Sequence, residues 1–132
     1  MQDQPSAIEL LEALGAFLRE EVAPRLDGGL RFKALVGANV AGIVAREIAL
    51  GAAQDRAQAG RLWKLLGRDG APPEGSDFAA LSRELSRELT RHICEGDADA
   101  DPWRAEVLAH LRETVREKLA VDNPKLLAGD KP

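Results

Sequence analysis

The chain has no tyrosine, one cysteine, one methionine, three phenylalanines and two tryptophans in 132 residues. With Cys94 alone, no intramolecular disulfide can form, and a reducing compartment suits the chain. With tyrosine absent and β-branched residues sparse, Ala, Leu, Arg and Glu dominate, and these favour helix throughout. There is no basic excess: the formal net charge is −4, which argues against a general nucleic-acid binder. The opening MQDQPSAIE has neither a basic n-region nor an apolar h-region, so it does not read as a signal peptide. No lipidation motif is visible. Cytoplasmic residence is the expectation.

Several chemistries are excluded by spacing. There is no C-x-x-C, G-x-S-x-G, H-E-x-x-H or phosphate-binding loop. Gly37 and Gly42 have part of the phosphate-loop spacing, but Ile43 follows and the segment reads as helix. Asp97, Asp99 and Asp101 alternate like the start of a calcium loop. Pro102 and Leu108 then stand where an EF-hand needs Gly and Glu. Neither His92 nor His110 has the E-x-x-H spacing of a di-iron bundle, and His110 points away from the centre of its helix's apolar face. Cys94 and His92 are two apart on a helix and cannot act as a nucleophile–base pair. No metal, cofactor or catalytic residue is expected.

What is present is one unusually apolar stretch. From Ala34 to Ala45 there is no charge, with Arg31 and Lys33 before it and Arg46 and Glu47 after it. So short and closely flanked a run does not read as a bilayer span. At 100° per residue, Phe32, Leu35, Val36, Asn39, Ile43 and Leu50 gather on one side. Ala34, Ala38, Ala41, Ala45 and Ala49 gather on the other. The expectation is a central, buried helix over about 31–50, ended by Gly51. Its large face should fill the core, and its small face should admit a close neighbour or a dimer.

The other elements follow in order. Ser6 and Glu9 form a capping box opening a helix whose stripe is Leu10, Leu11, Leu14, Phe17, Leu18 and Val22. Pro24 ends or kinks it. A weaker helix over about 53–66 contains Gly60 and is capped by Gly67. Residues 68–75 are a loop. Ser76 or Asp77 caps a helix with Phe78, Leu81, Leu85, Leu89 and Ile93 on its stripe. Asp101 and Pro102 start a last helix bearing Val107, Leu108, Leu111, Val115 and Leu119, which stops before Pro124. The sum is a single all-α domain over 1–132, a compact bundle of four to five helices around the central one, with short flexible ends.

The remaining polar candidates are Asn39 and Arg46, on or beside the large face. Asp122 and Asn123, at the end of the last helix, are placed to complete a small polar pocket with them. The competing reading is a structural network in which Asn39, buried, ties its helix to a neighbour and Asp122 pairs with Arg46. In that network Asn39→Leu should cost about 1–3 kcal/mol.

Pro5–Ala13 (PSAIELLEA), Glu20–Leu26 (EEVAPRL), Arg31–Glu47 (RFKALVGANVAGIVARE) and Leu111–Lys125 (LRETVREKLAVDNPK) together resemble a bacterial family of small helical domains of unknown function. The resemblance covers nearly the whole chain and is sharpest around Asn39 and at AVDNP. Domains of that family stand beside, or are joined to, kinases of the aminoglycoside-phosphotransferase type, often near acyl-CoA dehydrogenase-like proteins. The resemblance implies a context and no catalytic residues. The chain has no kinase parts of its own. It is therefore expected to be a non-enzymatic accessory or interaction module. Its partners would be an aminoglycoside-phosphotransferase-like kinase or a second copy, with neither nucleic acid nor membrane. A small-ligand-binding bundle with its pocket at Asn39 and Arg46 is the alternative.

Overall fold

A computed structural model describes residues 4–129. The first residues of the polar lead-in and the last three of the tail lie outside the described residues. The fold is all-α, with no strand among the described residues. Four helices carry it: α1 (Ala7–Phe17), α2 (Gly28–Leu65), α3 (Phe78–Cys94) and α4 (Trp103–Asp122). Two units are distinguished. One comprises the residues up to Gly51 and those from Ala120 on; the other is Ala52–Leu119.

In the first unit, α1 opens as its sequence dictates. The Glu9 amide donates to Ser6 Oγ at 3.3 Å, and the Ser6 amide donates to the Glu9 carboxylate at 2.7 Å. These bonds hold the Glu9 carboxyl below its usual range. The chain then widens into a π-helical turn, Leu18–Val22, and tightens into a 3₁₀ turn, Ala23–Arg25. Pro24 supplies the cause, since its ring displaces the carbonyl four residues back and it has no amide to give. The Ala23 amide reaches instead to the Leu18 carbonyl, five residues back. Gly15, buried, marks a close approach of α1 to α2. A Cβ there would stand 3.3 Å from the Ala38 carbonyl oxygen and 3.8 Å from the Ala41 Cβ.

The expected break at Gly51 does not occur. The helix runs unbroken for 38 residues, so the segments expected at 31–50 and 53–66 are one element. One glycine costs a helix interior only about 1 kcal/mol, which flanking turns easily offset. The stop comes at Gly67, with φ +73°. Its amide donates to the Lys64 carbonyl and the Arg68 amide to the Trp63 carbonyl, a Schellman ending. By length and composition α2 matches a bilayer span, with a mean hydropathy of 1.4 over 18 residues. A core helix passes the same test of length and composition, but only 17% of this window is buried.

The second unit holds the large core. Leu62 and Leu85 are fully buried, joined by Leu89 and Val107, with Trp63, Leu65, Leu66, Leu81 and Trp103 packed around them. Asp77, rather than Ser76, caps α3 by accepting the Ala80 amide at 3.0 Å. The buried Ser82 hydroxyl donates to the Asp55 carbonyl, and Gln54 donates to the Glu117 carbonyl, both at 3.0 Å. The Trp103 indole donates to the Leu65 carbonyl at 3.0 Å, satisfying an orphan oxygen at the end of α2.

Candidate functional site

Asn39 and Arg46 line one cleft of about 220 Å³ between α1 and α2. Glu12, Gly15, Arg19 and Glu20 stand on its α1 side. Gly15 and Ala38 let the helices approach at its floor, and Glu12 of α1, with Arg19 and Glu20 of the π-helical turn after it, form its charged wall. Asp122 and Asn123 are exposed and are not among the lining residues. Arg46 reaches the end of α4 through the backbone, its Nε donating to the Val121 carbonyl at 2.7 Å. That bond satisfies a helix-end acceptor and fixes the guanidinium beside Gly42. Asn39 is exposed, contrary to its expected burial, and its side chain makes no hydrogen bond among the described residues.

A second hollow, of about 470 Å³, lies between α2 and α4. Arg61, Lys64, Leu65, Glu106, Ala109 and His110 line it. Sequence reasoning missed it by turning α4 the wrong way. His110 was expected to face away from the core, yet it is only 7% exposed. The buried face of α4 follows Val107, His110, Thr114, Glu117 and Val121, while Leu108, Leu111 and Val115 face water. A polar row at helical spacing was the available signal.

The chemistry of this hollow is set by one ion pair. Arg61 Nη1 and Nη2 donate to the two Glu117 oxygens at 2.8 and 2.6 Å. The Glu117 bonds raise the Arg61 pKa against the desolvation that opposes it. Burial lowers the His110 pKa, the Arg61 charge lowers it further, and Glu117 pulls the other way. The net effect favours the neutral imidazole. The Thr114 hydroxyl donates to the His110 carbonyl at 3.0 Å and stands 3.5 Å from Nε2. His110 Nδ1 and Arg61 Nε are buried without a partner among the described residues. Together they suit a small polar molecule, water included. With both Nη groups engaged by Glu117, Arg61 is not a free clamp for an anion.

His92, Glu95 and Asp97 bring donor atoms within 4.8 Å of one another at the end of α3. The ending itself accounts for this. Gly96, at φ +88°, allows the Asp97 amide to reach the His92 carbonyl at 3.0 Å. The same Schellman turn folds the Asp97 carboxylate onto His92 Nδ1 at 2.6 Å. His110 does not join this group.

The largest departure from expectation concerns the apolar faces of the first unit. Of the face of α2 expected in the core, Ile43 is half-buried and the rest is exposed, Phe32 at 68%, and Val40 at 50% and Ile48 at 52% lie open next to it. Leu35, Val36 and Val44 are exposed beside them. The side that packs is the alanine side, where Ala38, Ala41 and Ala45 are buried. The α1 stripe is open as well, at Leu10, Leu14 and Phe17. Small side chains explain the choice. Gly15 and the alanines allow a close helix pair, but so close a pair leaves no room for large side chains between its axes.

Among known proteins, the family described as Domain of unknown function (DUF6285) matches residues 24–126, and the chain belongs to that family. No curated protein and no solved structure matches the chain.

Proposed function

We propose that this member of the DUF6285 family is a non-enzymatic accessory or interaction module of the cytoplasm, working through the apolar faces it leaves open. The observation that carries the reading is the inversion in the first unit, where alanines are buried and Phe32, Val36, Val40, Val44 and Ile48 face solvent. Soluble monomers rarely expose a continuous apolar row of this length. The open stripe of Leu108, Leu111 and Val115 on α4 supports the same reading. The partner suggested by the resemblance is a kinase of the aminoglycoside-phosphotransferase type. The test is a pull-down of the tagged chain from its native host, with co-eluting proteins identified by mass spectrometry. A stoichiometric kinase is expected, lost when Leu111 and Val115 are changed to Ser. A chain that elutes alone would contradict the kinase partnership.

A second reading is favoured by the shared cleft of Asn39 and Arg46. Glu12, Arg19 and Glu20 add both charges to its wall, as a small zwitterionic ligand would require. Stabilisation of the wild type by a metabolite in a thermal-shift screen, absent in Asn39→Leu, would support it.

A further inference from the structure

We infer that the exposed face of α2 is covered by a second copy of this chain, lying antiparallel and crossing at Val40. The inference rests on the interaction-module reading and names the occupant of one of its surfaces. Among its described residues the first unit fully buries no large apolar side chain. Its buried apolar residues among those described are Ala23, Ala38, Ala41, Ala45 and Val121, whereas Leu62 and Leu85, large and fully buried, both belong to the other unit. Its large side chains therefore need a cover of equal length and equal character.

The pattern along α2 is self-complementary. Phe32, Val36, Val40, Val44 and Ile48 recur every four residues, forming an i, i+4 ridge of the kind that packs against a like ridge. About Val40 the row is symmetric. In an antiparallel pair Phe32 meets Ile48 of the second copy, Val36 meets Val44, and Val40 meets itself. The charges obey the same symmetry. Lys33 and Glu47 are both exposed, and each lies seven residues from Val40. At 100° per residue, Lys33, Val36, Val40 and Glu47 fall within about 60° of one another, opposite the packed alanines. Antiparallel pairing thus sets Lys33 of each copy against Glu47 of the other. Parallel pairing would set lysine against lysine and glutamate against glutamate. Arg46, the neighbouring charge, is withdrawn from the face by its bond to the Val121 carbonyl. Closed two-fold pairing of this sort is isologous, so one patch suffices for both partners.

The test uses the full chain with Cys94→Ser as background. Val40→Cys should give a disulfide-linked dimer on mild oxidation, because the two-fold axis brings that position against itself. Lys33→Glu should weaken the dimer about tenfold, and adding Glu47→Lys should restore it. Sedimentation at about 100 μM, circular dichroism, an apolar-surface dye and phosphatidylcholine vesicles complete the set. A folded monomer that binds the dye would overturn the second copy and leave the interaction module standing. A folded monomer that binds no dye would overturn both. A monomer that pellets with the vesicles would assign the face to lipid. A dimer indifferent to Lys33→Glu and without the Val40→Cys cross-link would place the contact elsewhere and overturn the assignment.

Discussion

His110 shows how a single residue sets a property of the whole. Burial and the Arg61 guanidinium lower its pKa in the folded chain. Between the folded value and the ordinary one near 6.5, the unfolded chain therefore binds more protons than the folded chain. Stability should fall as pH drops through about 6.5 and level off below the folded pKa. Urea melts between pH 7.5 and 5.5 should show that loss. His110→Gln, which cannot titrate, should flatten it, and an equal slope in the variant would exclude His110 as its source. Asn39 makes the opposite point. An exposed amide without a side-chain bond has little to lose, so Asn39→Leu should change stability by no more than about 0.5 kcal/mol. A loss above 1 kcal/mol in denaturant melts would restore the buried-amide picture drawn from the sequence.

At the scale of elements, terminators were easier to read than interruptions. Ser6 and Glu9, Asp77 and Gly67 each act where their chemistry placed them, because caps are local: one side chain or one left-handed backbone satisfies the nearest orphan groups. Gly51 misled because helix propensity is weak against the cooperativity of a long helix. Gly60 yields a prediction. A Cβ there would meet nothing within 4 Å, and its backbone is helical. Gly60→Ala should therefore stabilise the protein by about 0.5–1 kcal/mol in a denaturant melt. A destabilised variant would mean that α2 needs a flexible point there. The central face was misread for a different reason. Periodicity identifies the two sides of a helix but not which side is packed. Ala38, Ala41 and Ala45 won the inner position through Gly15, a residue on another helix.

At the scale of the molecule, the all-α class was legible from composition and period, and so were Leu85, Leu89 and Val107 as core positions. The hollow at His110 was not, because Thr114 and Glu117 look like any solvated row until Arg61 is brought against them from a distant part of the chain. The cleft at Asn39 and Arg46 was visible in part, since both residues lie on one helix and only the α1 wall was unknown. The open apolar faces follow from the same limit, because a pattern can call for burial without showing whether the cover lies in the same chain. For the face of α2 the proposed cover is a second chain.

The most direct measurement is sedimentation equilibrium of the wild type and of Val40→Glu from about 1 to 100 μM. The wild-type mass should rise to twice the 14.2 kDa of one chain, with Val40→Glu remaining a folded monomer. A wild type that stays monomeric throughout would contradict the proposed pairing.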